Sequence, residues 1–188
     1  MRSPLLMSRE NSALVVIDVQ EKLIPAISGS KKIVWNIQRL ARAANLLNVP
    51  ARVTEQYPKG LGPTVQSLKE GLGDPVEKLM FSCRECQTML DDLRGQGITN
   101  LTLVGIESHV CVLQTALDFI TDGFNVYIVA DAVGARSELD HEIALRRAET
   151  SGCFITTTEA VLFEWCESAS APEFKSISKI VQEPFEEA

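Results

Sequence analysis

The chain has 188 residues, 45% of them hydrophobic and 23% charged, with a formal net charge of −7. That length is enough to bury a full core in one domain, and the balance of apolar and charged residues excludes a disordered or fibrous chain. The acidic surplus, with no basic cluster beyond the pairs Lys31-Lys32 and Arg146-Arg147, excludes a surface that tracks nucleic-acid phosphates.

No apolar run approaches the roughly 18 residues needed to cross a bilayer. Residues 1–11 contain only Pro4-Leu5-Leu6-Met7 as an apolar segment, which is short for the core of a signal peptide. The chain is therefore expected in the cytoplasm, away from membranes, where its five cysteines, an odd number, stay reduced.

Ala13-Leu14-Val15-Val16-Ile17 is a continuous apolar run, the pattern of a strand buried on both faces of a parallel sheet, and it ends at Asp18. Val34, Ile37, Ala41, Ala44 and Leu47 recur at helical spacing and predict a helix over residues 31–48, closed by Pro50. A short strand at 51–54 follows. Glycines and prolines between Pro58 and Gly73 mark a long connection with room for a short helix at 64–72. A weak strand at 75–79 and a helix over 85–96 lead to a strand at 101–104, stopped by Gly105.

The next helix begins near His109, carries Val110, Leu113, Leu117 and Ile120 on one stripe, and ends at Thr121-Asp122-Gly123. A fifth strand is expected at 126–130. Ser137 with Asp140 reads as a capping box for a helix to about Ser151, closed by Gly152, before a sixth strand at 154–156. Beyond Glu159 come a last core helix, a C-terminal helix over 172–182 and an acidic tail. This alternation predicts a three-layer α/β/α, Rossmann-like fold with a parallel sheet of about six strands. One domain, 1–188, is expected, with its core over about 12–166.

Ligands of such sheets bind outside the carboxyl ends of the strands, which directs attention to Asp18, to the segment after Lys78 and to the turn after Val104. Asp18 is either a loop or capping residue or a carboxylate at the rim of the site. Lys78, in an apolar strand, needs a carboxylate partner or must snorkel to water from an edge, because burying an unpaired ammonium costs several kcal/mol. Cys111 falls in the first turn of a helix, off its apolar stripe, where the helix dipole would favour the thiolate; the plain alternative is an inert buried thiol. A nucleophile, a base and a charge that orients the base form a working unit when they share one rim.

Asp18-Val19-Gln20, Lys78 followed by Phe81-Ser82, and Gly105-Ile106-Glu107-Ser108-His109-Val110-Cys111-Val112 with Thr115 resemble, in order and spacing, the three motifs of the isochorismatase-like hydrolase family. The resemblance extends over about residues 12–164. Within the family, the segment from Val53 to Thr64 and Gly105-Ile106-Glu107 are most similar to the isochorismatase domain-containing proteins. It implies a catalytic set of Asp18, Lys78 and Cys111, a cis peptide at Ile106–Glu107, an oxyanion hole from the amides of Glu107 and Cys111, and a homo-oligomer. The implied reaction is hydrolysis of a small amide or ester through a thioester on Cys111, with Asp18 as base and Lys78 orienting it. Metal-binding nicotinamidases of the family carry histidines in the loop after the second strand. Here residues 55–64 contain none, so neither metal nor cofactor is expected. Authentic isochorismatases lack the cysteine, which argues against isochorismate as substrate.

Gln20, Tyr57, Phe81, Glu107 and His109 are candidate pocket walls or plain packing residues, and His141 reads as a surface residue. Cys83-Arg84-Glu85-Cys86 has zinc-like spacing without a second ligand pair, and Cys153 and Cys166 read as core. A binding or scaffold protein that keeps the fold without turnover remains the alternative, whereas a flavodoxin-type nucleotide binder lacks its glycine-rich loop after the first strand.

Overall fold

The computed structural model describes residues 2–3 and 5–186; Met1 and Pro4 of the N-terminal segment, and Glu187 and Ala188 of the acidic tail, lie outside them. Six strands form one parallel sheet: β1 (Ser12–Ile17), β2 (Ala51–Gln56), β3 (Val76–Lys78), β4 (Asn100–Ile106), β5 (Asn125–Gly134) and β6 (Phe154–Thr156). Their order is β3-β2-β1-β4-β5-β6. The helices are α1 (Ser30–Leu46), α2 (Pro58–Leu61), α3 (Gln87–Gly95), α4 (Leu113–Thr121), α5 (Glu138–Thr150), α6 (Thr158–Cys166) and α7 (Phe174–Gln182). The expected α/β architecture is the one observed.

Strand parity explains the layers. Side chains of a strand alternate between faces, so Leu14 and Val16 join one apolar cluster with Ile37, Leu40, Val161 and Ile177 of α1, α6 and α7. Ala13, Val15 and Ile17 join the other, with Leu90, Leu93, Ala116 and Phe119 of α3 and α4. Because β1 is buried along its whole length, both faces must be apolar. Full burial of a Val, Leu or Ile side chain stabilises by about 1.5–3 kcal/mol.

The chain starts in the centre, winds outward to β3, and returns to continue as β4 on the other side of β1. Ile17 and Gly105 are register partners, so the segments leaving β1 and β4 part from neighbouring points on the carboxyl rim, at the switch point of the strand order. Gly105 makes that approach feasible. At φ 120° it occupies a conformation closed to other residues, and a Cβ there would lie 2.1 Å from the Ile17 carbonyl oxygen.

Several boundaries move. β4 passes through Gly105 to Ile106, and β5 continues to Gly134 across a register shift in which Leu103 pairs with Ile128 but Gly105 with Val133. The long connection contains the single turn α2 and a 3₁₀ turn at Gln66–Leu68, not a helix over 64–72. The helix carrying Cys111 opens as a π-helical turn, Ser108–Val112, before α4. Of the expected stripe, Leu113 is buried and Val110, Leu117 and Ile120 are half-buried against the α3–α4 cluster, with Val112, Thr115, Ala116 and Phe119 buried beside them. At α5 the Ser137 hydroxyl accepts from the Asp140 amide at 3.3 Å.

Candidate active site

Asp18 follows directly on β1 in the left-handed region, φ 53°, a conformation that aspartate tolerates better than most residues. The kink turns its carboxylate back across the end of the sheet. There Oδ1 accepts from the Thr54 hydroxyl at 2.8 Å and Oδ2 from the Lys78 ammonium at 2.6 Å. Register places these partners: Thr54 lies opposite Ile17, and Lys78 opposite Gln56. By strand alternation Thr54, Gln56 and Lys78 face the same side of the sheet, while Glu55 faces the other and accepts from Thr64. Lys78 Nζ also donates to Gln56 Oε1 at 2.8 Å, to the Phe81 carbonyl at 2.9 Å and, at 3.3 Å, to that of Met80. Burial is the largest single influence and lowers the Lys78 pKa, but the Asp18 carboxylate, with Cys83 and Cys111 beside it, together lift it above the ordinary value.

Cys111 sits on the π-helical turn with 6% of its surface exposed, packed in the α3–α4 cluster. Its thiol feels the charges of both Asp18 and Lys78. Burial first, then the Asp18 carboxylate, push the thiol pKa well above normal, and Lys78 opposes them. A thiolate favoured by the helix dipole is therefore not the resting form. Dehydration dominates, and the proton stays on sulfur in front of a carboxylate acceptor.

Behind Thr54 lies Cys83, whose sulfur is 3.7 Å from the Thr54 hydroxyl and whose amide donates to Thr115 Oγ1 at 2.9 Å. Burial pushes the Cys83 thiol up to about 12. Since the single Thr54 proton is spent on Asp18, the thiol is the donor in that contact.

The β4–β5 side of the crevice is wetter. The Ile106–Glu107 peptide is cis. The Glu107 carboxylate is gripped by Arg136 through its backbone amide at 3.2 Å, Nε at 3.1 Å and Nη2 at 3.1 Å. His109 lies 4.0 Å from both Glu107 and Asp140. His141 is not a surface residue. It is half-buried, its Nδ1 is 3.2 Å from Ser108 Oγ, and burial lowers its pKa. Tyr57 and Phe81 are exposed at the rim beside Lys78. Gln20 is fully buried, with its carboxamide bonded to the backbone of Gln56 and Gly62, which makes it a strut between segments and not a pocket wall.

The structure thus brings Asp18 and Lys78 into contact beside Cys111, and adds Thr54, Gln56 and Arg136, which the linear reading did not single out, and Cys83, which it weighed only as a zinc ligand. Period-two spacing of Thr54 and Gln56 on β2 was the available signal for two of them. Among the described residues no group of three or more His, Cys, Asp or Glu side chains is arranged to hold a metal, and all five cysteines are free and buried. A cavity of about 630 Å³ beside α1, walled by Val34, Trp35, Val65 and Phe185, includes none of the three central residues.

The isochorismatase domain model matches residues 12–160. Isochorismatase domain-containing protein 2A of Mus musculus is 42% identical over 175 residues, which cover 93% of this chain and 84% of that protein. Among solved structures, one described as the MAR1 ribonuclease of Caenorhabditis elegans superposes with a TM-score of 0.88 at 39% identity, over 97% of this chain and 100% of that one. The YcaC gene product of Escherichia coli, described as an octameric hydrolase of unknown specificity, superposes at 0.82 with 24% identity, over 89% of this chain and 85% of its own. With most of its length matched and a crevice built from the ends of β1, β3 and β4, the chain belongs to the isochorismatase family.

Proposed function

We propose that the protein is a cysteine hydrolase that cleaves a small amide or ester through a thioester on Cys111. The observation that carries the reading is the Asp18–Lys78 pair, at 2.6 Å and wholly out of water, facing the Cys111 thiol. In the proposed cycle the thiol proton passes to Asp18 as sulfur attacks the substrate carbonyl. Asp18 then delivers that proton to the departing nitrogen or oxygen, leaving an acyl-thioester. Next it takes a proton from water, which attacks the thioester; the acid departs and the proton returns to sulfur. Lys78 keeps its charge throughout and holds the carboxylate in place. The amides of Glu107 and Cys111 are the donors assigned to the oxyanion.

Pairing with Arg136 neutralises Glu107, so its carboxylate does not bar an anionic substrate. Ribonuclease activity belongs to the name of the worm protein, and the charge of −7 favours a small molecule over RNA here. A homo-oligomer, as in the octameric relative, would cover the exposed Leu79, Met80 and Phe81; light scattering of the purified protein tests this.

The hydrolase test is a panel of small amides and esters, with Cys111→Ala as the blank and intact-mass detection of an acyl group on Cys111. Turnover lost in the variant supports the reading. No turnover and no adduct in the parent would leave a scaffold protein that retains the fold.

A further inference from the structure

We propose that Gln56 is a positioning residue for the buried ion pair and, through it, for the Cys111 thiol; only the catalytic use of that pair rests on the hydrolase reading. An ammonium has three protons. The three shorter contacts of Lys78 Nζ are to Asp18 at 2.6 Å, Gln56 Oε1 at 2.8 Å and the Phe81 carbonyl at 2.9 Å. Gln56 therefore supplies the one neutral side-chain acceptor in the set. Its amide has a single workable orientation, because Nε2 donates to the Leu79 carbonyl at 2.7 Å. Flipping it would aim N–H at an ammonium and oxygen at a carbonyl.

Gln56 is itself held in place. Gln20 Oε1 accepts from the Gln56 amide at 2.8 Å, and Gln20 Nε2 donates to the Gln56 carbonyl at 3.0 Å and to that of Gly62 at 2.7 Å. β1 leaves the sheet at Asp18, whose amide makes the last backbone bond to β2, at 3.2 Å to Thr54. The carboxamide of Gln20 then takes over the pairing that the strand gives up. A continuous polar chain, Gln20 to Gln56 to Lys78 to Asp18, thus sets where the ammonium sits against the carboxylate. Without Gln56 Oε1 the ammonium would keep, for its third proton, only the Met80 carbonyl at 3.3 Å, and its place against Asp18 would loosen.

The test compares Gln56→Met and Gln56→Glu with the parent by thermal melting, by heteronuclear NMR of the Lys78 Nζ protons, and by the pH profile of Cys111 alkylation with iodoacetamide. In Gln56→Met the Lys78 protons should exchange with water about tenfold faster, and the alkylation profile should move about one pH unit to the alkaline side. In Gln56→Glu the exchange stays slow while the profile moves the same way, because a second carboxylate divides the ammonium's attraction. Unchanged exchange and an unchanged profile in cooperatively melting variants overturn the proposal, as does a lower melting point with the profile unmoved, which makes Gln56 merely structural. Should Gln56→Met not fold, an unmoved profile in Gln56→Glu overturns it. A parent that turns over nothing sinks the hydrolase reading instead, and the Lys78 exchange still decides the role of Gln56.

Discussion

The Asp18–Lys78 pair and the Glu107–Arg136 pair stand at the same carboxyl rim, yet water divides them. The first has both side chains 0% exposed at 2.6 Å; the second leaves its guanidinium 63% exposed at 3.1 Å. A sealed pair must recover the hydration it loses, and this one does so with Thr54, Gln56 and the Phe81 carbonyl as additional partners. An open pair loses little and gains little. Net stability is a weak reason to keep charges dry, since apolar replacements often do as well. On the proposed hydrolase reading, the sealed pair is kept for chemistry on the neighbouring thiol.

Breaking one partner should expose that difference. Lys78→Met leaves the Asp18 carboxylate buried and unpaired, so the urea midpoint should fall by the equivalent of about 3–5 kcal/mol. Adding Asp18→Asn should restore much of the loss but no activity; a double variant no more stable than Lys78→Met would show that the charge was not the cause. Gly105→Ala sets a methyl against Ile17 between the two halves of the rim. Its cost should be about 1–3 kcal/mol or more, read as a lower unfolding midpoint together with loss of activity.

His141 sharpens the comparison on the wet side. Its folded pKa lies below 6.5, so above that pH it is neutral folded and unfolded alike; as pH falls below 6.5 the unfolded chain takes up a proton that the folded one refuses, and stability declines. His141→Asn should flatten this acid-side slope in melting scans, and an unaltered slope would remove His141 as its source. Arg136→Ala should have the smallest effect, with an unfolding midpoint indistinguishable from the parent in moderate salt. A large loss there would mean that the open pair holds the rim together after all.

Much of the fold is legible in local patterns. The apolar run 13–17, the α1 stripe and the Ser137 cap each depend on neighbours a few residues away, and each is found where those patterns put it. A constant helical period cannot anticipate the π-helical turn at Cys111, and the expected fifth strand stops at 130 because a register shift interrupts the pairing of β5. Asp18, Lys78 and Cys111 stand out by their places at strand ends and in the first turn of a helix, and motif resemblance joins them into one set. Gln56 lies unremarked within the Val53–Thr64 segment, and Arg136 carries no motif.

By itself the sequence determined which segments are strands and helices, that the sheet is parallel, and which three chemistry-bearing residues end up near its carboxyl edge, because hydrophobic periodicity and strand-helix alternation are short-range information. Only the tertiary structure decided that the thiol rests protonated, that Lys78 is shared between Asp18 and Gln56, and that Glu107 is claimed by Arg136. Those outcomes depend on strand register and on the water excluded between segments far apart in the chain, and both exist only once the layers have closed.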